Sequence, residues 1–113
     1  MANDDQPRLH HMVEAAEEII SFSSQRGRGD LDTDTLLVRG LSMSIGILGE
    51  AAAYVTEQTR QLAPGIPWRD IVAMRNFLVH EYFRVDLDLL WLTATQSVPH
   101  ILPMLTSLVD QLN

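Results

Sequence analysis

Arg75, Asn76, His80 and Tyr82 stand within eight residues of one another, on a segment whose other members include Phe77, Leu78 and Val79. An imidazole, with an ordinary pKa near 6.5, can take a proton from a ribose 2′-hydroxyl or give one to a leaving 5′-oxygen, worth about 10²–10⁴ in rate. A guanidinium can hold the scissile phosphate and offset the charge that develops on it. Asn76 adds an uncharged hydrogen-bonding group. Together these groups suffice for metal-free cleavage of RNA, whose internal 2′-hydroxyl supplies a nucleophile that DNA lacks.

Helical spacing sets how these residues can cooperate. Asn76 and His80, four apart, share a face, with Arg84 one turn further on. Arg75 and His80, five apart, diverge by about 140° and roughly 7.5 Å along the axis. One ligand then meets both only if the long arginine curls round or a second copy of the helix, in a two-fold dimer, completes the site. Trp68, Ile71, Val72, Leu78 and Val79 lie three, four or seven residues from Arg75, so the pattern predicts a guanidinium that starts from the buried side. A charge there costs several kcal/mol in order of magnitude unless it is paired, solvated in a groove or used on an anion.

Structural readings compete at each position. Arg75 can pair with Glu50 or Asp70, and the ring of Tyr82 can cap the core. His10, His11 and His100 lack metal-ligand spacing and read as surface or core histidines; Trp68 and Trp91 read as core. His80-Glu81 begins like a zinc-binding helix, but position 84 is Arg where the second His is needed, so no metal site is expected.

The 113 residues suit one domain spanning 1–113, with 46% hydrophobic and 20% charged residues. The N-terminus carries no signal-peptide pattern, and the chain is read as having no apolar run near the length of a membrane span, so a cytoplasmic protein with no membrane partner is expected. There is no cysteine and no lysine: all eight basic residues are Arg. That removes thiolate nucleophiles, Lys Schiff bases and the phosphate loop that ends in Lys-Ser or Lys-Thr; no cofactor is implied. A net charge of −7 counts against nucleic acid as a whole. Between Arg69 and Arg84, however, three arginines and His80 face only Asp70 and Glu81, so a local basic groove is compatible with the acidic total.

The elements that must position the octapeptide read as helices throughout. Pro7 opens a first helix whose stripe is Leu9, Met12, Val13, Ala16, Ile19 and Ile20, reaching about Ser24. The run from Gln25 to Asp30 breaks it. Thr33 or Asp34 can cap a second helix with core positions Leu37, Leu41, Ile45, Leu48, Ala52 and Val55. Leu36, Met43, Ile47, Ala51 and Tyr54 form a second apolar line on it, suited to a helix covered on two sides or lying at a subunit interface. Gly46 and Gly49 within it each cost about 1 kcal/mol against Ala, which either local packing or the close approach of another helix would explain.

Pro67 starts a third helix, expected to carry the octapeptide as far as Tyr82 or Phe83. Asp86 can cap the next, through Leu87, Leu90 and Trp91, and Pro99 kinks or restarts it before an amphipathic end through Val98, Ile101, Leu102, Leu105, Leu108, Val109 and Leu112. The expected fold class is all-α: an antiparallel bundle of four main helices, or five if Pro99 breaks the last.

Over residues 36 to 112 the sequence resembles the HEPN domains, and among them the HepT-type toxins of toxin–antitoxin pairs. The resemblance rests on Gly49-Glu50-Ala51-Ala52, Ile66-Pro67-Trp68-Arg69-Asp70, Met74-Arg75-Asn76 through His80-Glu81-Tyr82-Phe83, and Val85-Asp86-Leu87-Asp88 leading to Trp91. The family signature is Arg, four residues, His, any residue, Tyr, and Arg75, Asn76, His80 and Tyr82 fill it in order. The resemblance implies a homodimeric, metal-independent endoribonuclease acting on tRNA or mRNA, with Arg75 and His80 as its catalytic pair between subunits. Its implied partner is a minimal nucleotidyltransferase antitoxin that transfers AMP to Tyr82. On an ideal helix Tyr82 would point about 160° from His80, so the helix is expected to end or loosen there. The alternative is a non-catalytic nucleotide-binding or scaffold subunit of a nucleotidyltransferase complex.

Overall fold

The computed structural model describes residues 5–79 and 86–113, and among these every regular element is helical. Seven α-helices follow in order: α1 (Gln6–Ser23), α2 (Thr35–Ala53), α3 (Glu57–Arg60), α4 (Trp68–Ala73), α5 (Asn76–Val79), α6 (Leu87–Leu92) and α7 (Val98–Leu112). A 3₁₀ segment, Arg28–Asp32, precedes α2, and a π segment, Thr93–Ser97, joins α6 to α7. The all-α class stands. The expected four or five helices are cut into shorter pieces, because the third one breaks and the loop after α2 forms a helical turn of its own.

The helix starts follow local chemistry. Asp34 accepts a hydrogen bond from the Leu37 N–H at 3.0 Å, and Asp86 accepts one from the Leu89 N–H at 3.0 Å, each satisfying an amide that the helix leaves open. Pro99 has no N–H to offer the Thr95 carbonyl and its ring crowds that group. The backbone instead takes one π turn, with the Val98 N–H reaching back to the Thr93 carbonyl. The chain thereby continues from α6 into α7 where a kink or restart was expected.

Leu9, Met12, Ala16 and Ile19 of α1 are buried against Leu37, Leu41, Ile45 and Leu48 of α2, and α7 closes the core with Val98, Ile101, Leu105 and Leu108. By length and composition α2 is a helix that could cross a membrane, contrary to the reading of the sequence, but half of it is buried inside this bundle.

Asp5, only 1% exposed, ties the start of α1 to the end of α2 and so shows the two helices running antiparallel. Its carboxylate accepts hydrogen bonds from the Thr59 hydroxyl at 2.5 Å, the Thr56 hydroxyl at 2.6 Å and the Thr56 N–H at 3.3 Å. Burial pushes this carboxyl up, and the three donors more than offset it, leaving it below the ordinary carboxylate range. A depressed folded pKa contributes stability that is present above the unfolded value and lost as pH falls through the folded one. Asp5→Asn is therefore expected to cost about 1–3 kcal/mol at neutral pH, with the difference from wild type shrinking toward pH 3. Thermal melts of both proteins across that range check it; a gap that widens in acid would contradict the assignment.

Candidate functional site

The site is built where α4 ends against α2. A Cβ placed on Gly49 would lie 2.5 Å from the backbone nitrogen of Arg75, 2.7 Å from the carbonyl oxygen of Ile71 and 3.0 Å from the carbonyl carbon of Met74. Only hydrogen fits there. Of the two explanations open for this glycine, close approach is the one observed, and the backbone it admits is that of Arg75.

Arg75 itself lies in the turn between α4 and α5, not on a continuous helix. The N–H groups of Met74, Arg75 and Phe77 bond back three residues, to Ile71, Val72 and Met74, at 3.0, 3.2 and 3.1 Å. This tighter winding buries Trp68, Ile71 and Met74, three apart, and Met74 takes the inward place that helical spacing had given to Arg75. The expectation that the guanidinium starts from the buried side is thus corrected: the Arg75 side chain is 47% exposed.

One Nη of Arg75 lies 4.0 Å from a carboxylate oxygen of Glu50, itself 48% exposed. At that distance, open to water, the pair is worth about 0–1 kcal/mol and leaves the cation able to exchange partners. Asn76 is exposed beside it at the start of α5. His80, Tyr82 and Arg84, and with them the expected end of the helix near Tyr82 or Phe83, lie outside the described residues. Among the described residues no group of three His, Asp or Glu side chains is arranged to hold a metal ion.

On the far side of Glu50 runs a groove of about 500 Å³ between α1 and α2, lined by Pro7, Arg8, His11, Ile47, Glu50, Ala51 and Tyr54. The guanidinium carbon of Arg8 sits 5.6 Å from the centre of the Tyr54 ring. The sequence alone marks His11 as a surface or core histidine and places Tyr54 only on an apolar line. The available signal was helical register: Arg8 and His11 are three apart, and Ile47, Ala51 and Tyr54 follow at four and three. What sequence could not show is that the two faces meet.

The strongest acidic cluster lies elsewhere. Arg26 bonds Asp34 at 2.6 Å, and Arg28 bonds Asp88 at 2.7 Å and Asp32 at 3.1 Å. These pairs sit at the start of α2, about 20 Å along its axis from Glu50.

The sequence profile of the HepT-like ribonucleases matches residues 12–108, nearly the whole bundle. The chain belongs to the HepT-like ribonuclease family. Among its relatives, a Thermococcus cleftensis protein named "Probable ribonuclease HepT" is 32% identical over 93 residues, covering 82% of this chain and 84% of that one. A Methanocaldococcus jannaschii protein named "Putative RNase" is 30% identical over 93 residues, with 82% and 85% covered. Another "Putative RNase", from Caldanaerobacter subterraneus subsp. tengcongensis, is 30% identical over 95 residues, with 84% and 85% covered. No solved structure matches the chain significantly. Membership in the HepT-like family supports a ribonuclease chemistry at family level.

Proposed function

We propose that this chain is a metal-independent endoribonuclease and the toxin of a toxin–antitoxin pair, with Arg75, His80 and Asn76 as its catalytic residues. The observation that carries the reading is the position of Arg75: a permanent cation at the surface, its backbone fixed by the contact over Gly49 and its side chain only loosely paired with Glu50. Such a cation is available to a phosphate. In the proposed reaction the 2′-oxygen attacks the adjacent phosphorus, the bond to the 5′-oxygen breaks, and the products are a 2′,3′-cyclic phosphate and a free 5′-hydroxyl. One His80 takes the 2′-proton, and the 5′-oxygen receives its proton from the His80 of a second copy. Arg75 holds the non-bridging oxygens as charge builds on them.

The second copy has a surface to use. Leu36 is 82% exposed on α2, Met43, Ile47 and Tyr54 follow exposed on the same line as it runs past Glu50, and Phe22 of α1 lies beside Gly40. This apolar patch supports a homodimer. Purified protein is expected to cut tRNA or mRNA in EDTA and to sediment as a dimer at micromolar concentration, and His80→Ala to lose nearly all cleavage. Cleavage that survives His80→Ala would remove the assignment.

Neutralisation is proposed to come from a minimal nucleotidyltransferase antitoxin that transfers AMP from ATP to the hydroxyl of Tyr82, releasing pyrophosphate. The added phosphodiester charge would repel the RNA backbone. Mass spectrometry after incubation with that enzyme and ATP is expected to place one AMP on Tyr82; an inhibited toxin with unmodified Tyr82 would mean inhibition by binding alone.

A further inference from the structure

We propose that two copies of this chain pair through antiparallel α2 helices about a two-fold axis that crosses them at Ile45, with Leu36 of each copy seated in the groove beside the partner's Tyr54. Resting on the homodimer reading above, this pairing fixes an orientation, and the orientation decides where the two Arg75 side chains lie.

The exposed line of α2 has the spacing of a helix–helix seam. Leu36, Gly40, Met43, Ile47, Glu50 and Tyr54 follow one another at four, three, four, three and four residues, a 3.5-residue repeat that keeps one face toward a second helix over about 27 Å. Leu36 and Tyr54 are the most exposed large apolar side chains among the described residues, and they stand at the two ends of this line. Each stands beside a recess. Next to Tyr54 lies the groove of about 500 Å³, whose apolar members are Pro7, Ile47, Ala51 and Tyr54 itself. Next to Leu36 lies one of about 330 Å³, lined by Phe22, Leu36, Leu37 and Gly40 beside the Arg26–Asp34 ion pair. The Asp5 clamp to Thr56 and Thr59 fixes the start of α1 against the end of α2, so the groove is formed in a single copy.

An antiparallel pair fills both recesses. With the axis at Ile45, Leu36 and Tyr54, nine residues to either side, come opposite each other, as do Met43 and Ile47, two to either side, and Gly40 and Glu50, five to either side. Leu36 then enters the groove at the partner's Tyr54, and Tyr54 enters the recess at the partner's Leu36, where its ring meets that of Phe22. Such self-complementarity is what an isologous interface requires. Glu50 falls opposite a glycine, which leaves room for its carboxylate. A parallel pair would set Leu36 on Leu36 and Tyr54 on Tyr54, leave both recesses unfilled, and bring the two Glu50 carboxylates face to face.

The same axis places the two cations. Gly40, where α1 borders the line through Phe22, and Glu50, where Arg75 borders it, lie about 80° apart around α2 and so on opposite edges of the line. An axis perpendicular to the helices keeps like edges together, so both Arg75 side chains lie on one face of the dimer, about 15 Å apart along α2. One RNA strand along that face can meet both. A parallel pair would send them to opposite faces.

The chain has no cysteine, so introduced thiols report the orientation. Leu36→Cys and Tyr54→Cys are treated with a short bismaleimide, each alone and the two mixed, at a concentration where wild type and the mixture sediment as dimers; Thr106→Cys, exposed on α7, gives the collision background. The mixed dimer keeps one Leu36–Tyr54 contact unaltered. A covalent dimer is expected in the mixture and only background in either protein alone, because like positions lie about 27 Å apart. Met43→Glu, at the centre of the seam, is expected to raise the dimer Kd by roughly 30-fold or more. Linking of Leu36→Cys alone as strong as that of the mixture would mean a parallel pair and overturn the proposal. A dimer that Met43→Glu leaves unchanged, or a mixture that links no better than Thr106→Cys, would mean that another face is used, which overturns this seam and leaves the homodimer reading standing. Wild type that sediments as a monomer yet cleaves RNA removes both the seam and the homodimer while the nuclease reading stands. A mixture that links as expected, beside a wild type that cuts no RNA, upholds the seam and counts against the nuclease.

Discussion

Arg75→Ala is expected to lower RNA cleavage by about 10²–10³-fold, the usual effect of removing one preorganised donor that faces developing charge, and to leave the fold intact. The guanidinium is 47% exposed and its partner is 4.0 Å away, so little folding energy depends on it. Substitutions at such places stay within about 0.5 kcal/mol, or roughly 2–4 °C for a small domain. Arg75→Lys keeps the charge and loses the planar fork, and should recover only part of the rate. The measurement is single-turnover cleavage of labelled RNA in EDTA beside a thermal melt. Full activity in Arg75→Ala would end the catalytic assignment; a collapsed melt would show that the cation serves the fold instead.

Gly49→Ala should separate helix propensity from tertiary contact. On propensity alone the change favours α2 by about 1 kcal/mol. The added methyl, however, would meet the Arg75 nitrogen at 2.5 Å, the Ile71 oxygen at 2.7 Å and the Met74 carbonyl carbon at 3.0 Å. All three are backbone atoms, with no rotamer by which to move aside. Overpacking of this kind costs about 1–3 kcal/mol, and it must push the end of α4 outward and carry Arg75 with it. A displacement near 1 Å at a reacting centre can cost about 10²-fold in rate. A lower melting temperature and cleavage reduced by about 10- to 100-fold are therefore expected. Gly40→Ala is the control for the melt alone, because Gly40 lies in the patch proposed for dimerisation: its methyl would meet only the Phe22 ring, at 3.6 Å, so its melting temperature should be unchanged or slightly raised. Equal melts of the two variants would show that the contact over Gly49 is not tight enough to position the site.

Periodicity gave the right core for the long helices and the wrong inward residue for the short one. Over the nineteen residues of α2 a 3.6-residue stripe is unambiguous, and Leu37, Leu41, Ile45, Leu48 and Ala52 are all buried. Over the six residues of α4 a spacing of three and one of 3.6 diverge by a single position. That position is the choice between Met74 and Arg75. Likewise Pro99 announced an irregularity, while whether the backbone answered with a kink or a π turn depended on α6 and α7 both having core to cover.

The sequence by itself determined the all-α class, a helix start at Thr33 or Asp34 and another at Asp86, most of the core stripes of the long helices, and the residue types that carry the family resemblance, because each depends on neighbours within a few positions. Only the tertiary structure decided that Arg75 faces water, that Gly49 is the point of contact behind it, and that Arg8 and His11 share a groove with Tyr54. Those facts arise where segments some 25 to 45 residues apart in the chain meet, and no local pattern encodes the rotation and spacing at which two helices pack.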